Sequence, residues 1–186
     1  MSSIESVSLV EQARVFASEA HAVVQQVRKY TGEPYINHPQ EVVAILLEYG
    51  ITDPVMLAAA WLHDVVEDTG VPSEAIHAAF GNEVGCLVDG LTDTTAPSDG
   101  PRAVRKAKAR AYLAAQSPAC KTIKLADLIS NTRSIAERDP VFAVTYMAEK
   151  RLLLEVLRKG DAHLWAVAHA LACADQQEGQ ACAVTA

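Results

Sequence analysis

Residues 61–69 read Trp-Leu-His-Asp-Val-Val-Glu-Asp-Thr, and the interpretation of the whole chain starts from this stretch. It ends a long apolar run in which His63-Asp64 and Glu67-Asp68 are the polar exceptions. On one continuous helix, side chains four residues apart share a face, so His63 is expected beneath Glu67 and Asp64 beneath Asp68. A solvated helix end would explain Glu67-Asp68 alone, but not a His-Asp pair embedded in Leu, Ala and Val. Because clustered carboxylates repel one another and lose water when partly buried, the stretch predicts a cation-binding site.

Length and composition favour a single all-α domain. The chain has 186 residues, of which 50% are hydrophobic and 5% aromatic. A chain of this length can bury a full core, and no segment shows the alternating pattern of a β-strand. We expect one domain over residues 1–186, with a helical core over about 8–175 followed by a loose tail.

Capping residues set the expected helix boundaries. Asp53, Ser117 and Asp139 each precede a proline, an arrangement that starts a helix. The proline after His38 predicts that this histidine lies just outside a helix that begins at Pro39. The expected helices are 8–29, 39–49, 54–67, 73–80, 82–91, 101–115, 118–133, 140–158 and 161–175.

Charge and hydropathy exclude several classes of partner. A formal net charge of -7 argues against general binding of DNA or RNA, which requires a basic surface. Charged residues interrupt the apolar runs before they reach the length of about 18 residues that a membrane span needs. The N-terminus lacks a basic segment followed by an apolar core, so we expect a cytoplasmic protein.

Two other segments supply polar residues of the types that bind metals. Proline holds His38 at a helix start, and Asp127 lies four residues before Asn131 on one predicted helix face. Two imidazoles and two carboxylates would come from His38, His63, Asp64 and Asp127. Such a set of ligands suits manganese, iron or zinc. A divalent ion with four protein ligands keeps open positions for other oxygen ligands. The three segments are far apart in the sequence, so their spacing alone leaves this set open.

The amino-acid sequence around these residues resembles that of the HD-domain metal phosphohydrolases. More narrowly, it is similar to the hydrolase domain of the RelA/SpoT family and to its stand-alone members, the small alarmone hydrolases. His-Asp-Val-Val-Glu-Asp-Thr after Tyr-Ile-Asn-His-Pro is highly specific, and the likeness covers most of residues 10–160. The resemblance implies an all-α HD-domain helical bundle. The matching stretches are Ala17–Pro39, Ala58–Thr69, Phe80–Thr92 and Lys124–Ile135.

This resemblance also implies an activity, a cofactor and a set of site residues. The reaction is hydrolysis of the 3′-pyrophosphate of guanosine 3′,5′-bis(diphosphate), ppGpp, or of its pentaphosphate form, which releases pyrophosphate and GDP or GTP. The cofactor is one Mn²⁺ per chain. The implied metal ligands are His38, His63, Asp64 and Asp127. The implied catalytic pair is Glu67 and Asp68, which assist the attacking water and the leaving ribose oxygen. The implied substrate contacts are Arg28, Lys29, Asn131 and Tyr146.

A second source of positive charge is the basic stretch 101–110, in which Lys106 is our candidate for a contact with substrate phosphates. A solvated helix face explains this stretch equally well. The other histidines are expected to be structural or surface groups, namely His21, His77, His163 and His169.

The sequence departs from the family at one motif. The usual Asp-Arg-Leu-His-Asn reads Asp-Leu-Ile-Ser-Asn at residues 127–131, which keeps the ligand and ribose positions but leaves the base open. One alternative is therefore an HD phosphohydrolase acting on another 3′- or 2′-phosphorylated nucleotide, such as ppApp or NADPH. Another is a non-catalytic module that senses nucleotides, although a sensor has no need of the proton-handling pair Glu67 and Asp68.

Overall fold

The computed structural model describes residues 8–183, with side chains over 8–173, and its regular elements in that part of the chain are helical. The one β-type pairing there is an isolated antiparallel bridge between Val27 and Pro34. The prediction of an all-α protein is confirmed. Within residues 8–183, none of the helices combines the length and hydrophobicity that a membrane span requires.

The chain divides into two compact units, the first ending at Thr94 and the second beginning at Thr95. That all of it forms one domain over 1–186 stays a prediction. The first unit contains α1 (Leu9–Val23), α2 (Asn37–Glu48), α3 (Pro54–Leu62), α4 (Val65–Thr69) and α5 (Ser73–Leu91). The second contains a 3₁₀ turn (Pro97–Asp99), α6 (Arg102–Ala114), α7 (Pro118–Arg138), α8 (Pro140–Val156) and α9 (Ala162–Ala183).

The predicted capping residues start their helices as expected. Asp53 accepts hydrogen bonds from the backbone N–H groups of Val55 and Met56 at the start of α3. Ser117 does the same for α7 and Asp139 for α8, each followed by proline at the first helical position. These side chains satisfy N–H groups that have no partner within the helix, which is why local sequence predicts these boundaries well.

In the first unit, α3 is the central element. Its residues 57–62 are all buried, and it packs against α1, α2 and α5. A short helix that is apolar on every side can be stable only when other elements cover it. Burial of each large apolar side chain contributes about 1.5–3 kcal/mol, so the position of the residues that follow α3 is firmly fixed.

In the second unit, α7 packs against α8 and α9. Its buried residues include Ile123, Leu125, Leu128 and Ile129, which form the core together with Leu154 and Leu164. Asp127 lies among these apolar residues and is itself buried. The fold therefore removes this carboxylate from bulk water.

Several predicted boundaries are wrong. α1 ends at Val23 rather than at residue 29, because Gln25 takes a positive φ of 53° and the chain turns into the Val27–Pro34 bridge. α2 begins at Asn37 rather than at Pro39, which places His38 inside the helix. A proline is tolerated there because the first turn of a helix leaves its N–H groups without intrahelical partners anyway.

The helix predicted over 54–67 is also interrupted. α3 ends at Leu62, and α4 starts at Val65, so His63 and Asp64 form the link between two helices. By contrast, the predicted helices 73–80 and 82–91 join into α5 with a kink at Gly81, whose φ of 83° is left-handed and favours glycine. α7 continues to Arg138, past the predicted end at 133.

Candidate metal and catalytic site

Three predicted metal ligands come together in the first unit. The ligand atoms of His38, His63 and Asp64 all lie within 4.8 Å of one another. Asp64 Oδ2 is 3.0 Å from His63 Nε2 and 3.6 Å from His38 Nε2. Both imidazoles are buried, with about 98–99% of each residue covered. α2 supplies the first of these side chains, and the link between α3 and α4 supplies the other two.

The orientation of His63 is set by the backbone of α3. Its Nδ1 lies 2.8 Å from the carbonyl oxygen of Ala60, and a carbonyl can only accept, so Nδ1 carries the proton. Nε2 is then the nitrogen that faces Asp64 and can offer a lone pair to a cation. Atoms that each bind one ion at about 2.0–2.2 Å are themselves separated by roughly 3–4 Å, which is the separation of Asp64 Oδ2 from each of the two imidazole nitrogens. The donor set therefore fits a divalent metal ion.

Tyr35 contacts two members of this cluster, Asp64 and His38. Its hydroxyl donates a hydrogen bond of 2.6 Å to Asp64 Oδ2, and its ring lies 5.7 Å from that of His38, measured between centroids. Hydrogen bonds of this kind orient a ligand and tune how well it binds a metal. Tyr35 was not among the predicted site residues, although it lies in the Tyr-Ile-Asn-His-Pro motif three residues before His38.

The predicted catalytic pair lies on α4, immediately after the cluster. Glu67 and Asp68 are exposed, and the backbone N–H of Asp68 donates to the carbonyl of Asp64 at 2.9 Å. Asp64 and Asp68 thus keep the four-residue helical relationship despite the interruption before α4. Glu67 Oε2 accepts a hydrogen bond of 3.1 Å from the backbone N–H of Asp93. The Glu67 carboxylate is thus held in place by a hydrogen bond.

The protein raises the pKa of Asp68 above its ordinary value. Loss of water around the carboxyl group is the main cause, and the negative charge of Asp64 acts in the same direction, whereas a hydrogen bond from Gln26 opposes them. Gln26 Nε2 donates that bond to Asp68 Oδ2 at 2.8 Å. A carboxyl group with a raised pKa is better suited to taking up and returning a proton near neutral pH.

The fourth predicted ligand, Asp127, lies on α7 in the second unit, so its place beside the other three stays a prediction. Both of its oxygens already have partners: Lys124 Nζ is 2.7 Å from Oδ2, and Asn131 Nδ2 donates to Oδ1 at 2.6 Å. The pairing with Asn131 confirms that the two residues share a helix face. A metal ion bound through Oδ2 would compete with Lys124 for this oxygen.

The charge of Asp127 acts on two further residues of the second unit, Tyr146 and Lys150. Tyr146 is buried on α8, and burial raises the pKa of its hydroxyl well above the usual value, as does the charge of Asp127. Lys150 Nζ lies 4.5 Å from the centre of the Tyr146 ring. Burial, reinforced by the charge of Lys124, lowers the pKa of Lys150 to about 8. Lys106 also lowers it, so the predicted substrate residue Lys106 lies within electrostatic reach of this group.

Lys150 was not among the predicted site residues, because Ala-Glu-Lys-Arg at 148–151 has the composition of an exposed helix face. The neighbouring basic helix does make ordinary surface ion pairs. Arg102 binds Glu149 through two hydrogen bonds, and Lys108 binds Asp99.

The predicted basic pair Arg28-Lys29 lies in the turn after α1 rather than at the end of a helix. Arg28 is 3.9 Å from Glu41, measured between charged atoms, and its backbone N–H donates to the carbonyl of Glu33. Lys29 Nζ lies 3.1 Å from the hydroxyl of Tyr30. The turn belongs to the first unit, as does the histidine cluster.

Comparison with known proteins gives matches over most of the chain. The HD-domain family profile matches residues 13–154. The mouse protein MESH1, named guanosine-3′,5′-bis(diphosphate) 3′-pyrophosphohydrolase, is 41% identical over 138 residues, which cover 73% of this chain and 74% of the mouse protein. A Synechocystis protein named probable guanosine-3′,5′-bis(diphosphate) 3′-pyrophosphohydrolase is 38% identical over 135 residues, 71% of this chain but 17% of that protein. The chain therefore spans about a sixth of this longer bacterial relative.

A solved structure gives a corresponding match. It is described as a metazoan ortholog of SpoT that hydrolyzes ppGpp and plays a role in starvation responses. The two folds superpose with a TM-score of 0.79 and 31% sequence identity, covering 91% of this chain and 96% of the other. The likeness thus extends over nearly the whole of both chains.

Proposed function

We propose, from the premise that this chain belongs to the HD-domain family, that it is a metal-dependent hydrolase of guanosine 3′,5′-bis(diphosphate). It would remove the 3′-pyrophosphate from ppGpp or from the pentaphosphate form, giving GDP or GTP and pyrophosphate. The names of relatives such as mouse MESH1 support this substrate. The observation that carries the proposal is the cluster of two buried histidines, His38 and His63, with Asp64, and an acidic pair on the helix that follows it.

The cofactor we propose is Mn²⁺, one ion per chain, held by His38, His63, Asp64 and Asp127. Two imidazoles and two carboxylates form a mixed nitrogen and oxygen set, which suits Mn²⁺ better than a thiolate-preferring metal. When bound, such an ion polarises phosphoryl oxygens and lowers the pKa of water. The chain's own part is to present these ligands in one orientation, which the Ala60 carbonyl and the Tyr35 hydroxyl do for two of them.

Glu67 and Asp68 would handle protons. One would accept a proton from the attacking water, and the other would give a proton to the ribose oxygen that leaves. Two neighbouring carboxylates can divide these roles when their surroundings push their pKa values apart. The raised pKa of Asp68 supports the acid role for this residue and the base role for Glu67.

Positive charge and polar groups would bind the nucleotide. Arg28 and Lys29 lie together in a turn of the first unit and would contact phosphates. In the second unit, Lys106 would contact a phosphate and Asn131 the ribose, and Tyr146 would lie near the bound nucleotide. Such contacts stabilise charge that develops on a phosphoryl group during hydrolysis. A reaction on small nucleotides also agrees with the cytoplasmic location that we propose.

The test is a panel of nucleotides incubated with Mn²⁺-loaded protein, with the products separated by chromatography. We expect GDP and pyrophosphate from ppGpp at a rate far above the turnover of GDP or GTP, and no turnover by the Asp64→Asn variant. Comparable rates on ordinary nucleoside triphosphates would contradict the proposal and indicate a broad nucleotidase. Faster turnover of ppApp or NADPH would retain the enzyme class but change the substrate.

A further inference from the structure

A chain of side-chain hydrogen bonds reaches Asp68 from outside the predicted site. Gln26 lies between His21 and Asp68: its Nε2 is 2.8 Å from Asp68 Oδ2, and its Oε1 is 2.7 Å from His21 Nδ1. Gln26 and Asp68 are 42 residues apart in the sequence. Neither His21 nor Gln26 contributes a predicted ligand, catalytic or substrate-binding group, so this contact is not explained by the site described above.

The polarity of this chain is fixed by chemistry. Asp68 Oδ2 can only accept, whether the carboxyl group is ionised or carries its proton on Oδ1, so Gln26 turns its amide N–H group toward Asp68. Its oxygen then faces His21, whose Nδ1 must carry the proton that it donates. His21 is buried, and its remaining nitrogen, Nε2, has no hydrogen-bond partner among the described residues. Burial lowers the pKa of His21, which favours the neutral ring and agrees with a single proton on Nδ1.

The backbone holds Gln26 from both sides. Its N–H donates to the carbonyl of His21 at 3.1 Å, and its carbonyl accepts from the N–H of Tyr35 at 3.1 Å. The ring of Tyr35 also packs against His21, with 4.8 Å between the centroids. Tyr35 also binds Asp64 through its hydroxyl. The turn that contains Gln26 and Tyr35 therefore contacts both Asp64 of the metal cluster and Asp68 of the catalytic pair.

We propose that Gln26 is a positioning residue that holds the Asp68 carboxylate for proton transfer, and that His21 fixes the direction of the Gln26 amide. Asp68 is exposed on a helix of only five residues, where a side chain without a partner would change rotamer freely. The bond from Gln26 occupies Oδ2 and leaves Oδ1 for the proton. This inference rests on the proposed function, because it requires Asp68 to take part in the reaction.

The decisive variant is Gln26→Glu, which keeps the length of the side chain but places a carboxylate oxygen where the donor was. We expect kcat for ppGpp to fall roughly 10- to 100-fold, as for other small displacements of a reacting group. The KM and the bound Mn²⁺ should stay unchanged, because Gln26 contacts neither substrate nor metal in this arrangement. Gln25→Glu is the matched control, since it makes the same charge change at the exposed neighbouring residue and should leave kcat unchanged.

A double variant separates positioning from a general structural effect. If Gln26 acts only through Asp68, then Gln26→Glu should cause no further loss of kcat in an Asp68→Asn background. Equal losses of kcat in both backgrounds would overturn the proposal, as would loss of the metal or a change in KM with kcat intact. A lowered melting temperature for Gln26→Glu together with an unchanged kcat would also count against it.

An NMR measurement tests the contact without relying on activity. The side-chain amide resonances of Gln26 should shift on Asp68→Asn, whereas those of Gln25 should not, and the ¹⁵N shifts of His21 should report a proton on Nδ1. An unshifted Gln26 amide, or a proton on Nε2 of His21, would overturn the proposed chain. If instead the wild-type protein leaves ppGpp intact while the Gln26 amide shifts as expected, the proposed substrate is what fails.

Discussion

Tyr35 donates its hydroxyl hydrogen bond to Asp64 Oδ2 across 2.6 Å, and the same oxygen lies 3.0 Å from His63 Nε2. A residue that binds no metal itself thus controls where a predicted metal ligand points. The turn that carries Tyr35 is fixed at its other end by the backbone of Gln26. The orientation of Asp64 therefore depends on the turn between α1 and α2, which also carries the predicted substrate residues Arg28 and Lys29.

Tyr35→Phe should weaken Mn²⁺ binding about 10- to 100-fold, the usual effect of removing a hydrogen bond to a metal ligand. The ring is retained, so its packing against His21 and His38 should survive. Titration of metal-free protein with Mn²⁺ measures the change, and Tyr49→Phe at the end of α2 is the control. Equal affinities for Tyr35→Phe and wild type would show that this hydroxyl does not tune the site.

Metal content should be one ion per chain, and it should depend on Asp64 and Asp127. Asp64→Asn and Asp127→Ala should each lose most of the bound Mn²⁺, because each removes a negatively charged ligand from the proposed set. Glu83→Gln, which removes an exposed carboxylate on α5, is the control. Elemental analysis after equilibrium dialysis gives the count. Two ions per chain, or full occupancy in Asp127→Ala, would refute the four-ligand set.

Glu67→Gln and Asp68→Asn should separate chemistry from metal binding. Each variant should keep its metal and still bind ppGpp, but kcat should fall by about 10²–10⁴-fold, the usual contribution of general acid–base catalysis. Metal content and turnover must be measured on the same preparations, with Asp64→Asn as the variant that loses the ion itself. If both variants turn over ppGpp at the wild-type rate, the proton-handling role of α4 is wrong.

His77 should make stability depend on pH. Its Nε2 lies 2.9 Å from Asp89 Oδ2, and hydrogen bonds to Asp89 and then Asn82 raise the pKa of this imidazole, as does the charge of Glu74. A histidine whose pKa is higher in the folded than in the unfolded protein stabilises the fold while it is protonated. This contribution is fully present below the unfolded-state pKa of about 6.5 and is lost as the pH rises through the folded-state pKa.

The melting temperature of the wild type should therefore fall relative to that of His77→Gln between about pH 6 and pH 8. A constant difference between the two proteins over this range would show that the His77–Asp89 contact carries no proton-linked stability.

Local sequence determined where three helices begin, and it identified the three residues that form the histidine–aspartate cluster. Asp53, Ser117 and Asp139 cap their helices as predicted, because a cap bonds to backbone groups only two or three residues away. His63-Asp64 was identifiable for a similar reason, since two polar residues within an apolar run are visible without any tertiary contact.

Tertiary structure decided where helices end and how the site is supported. α1 stops at Val23 although its apolar spacing continues, because the chain turns to form the Val27–Pro34 bridge. The approach of His38 to Asp64 depends on how α2 packs against α3, and the contact of Gln26 with Asp68 spans 42 residues. Such contacts depend on how packed helices are placed in space, and the periodicity of a single helix does not contain that information.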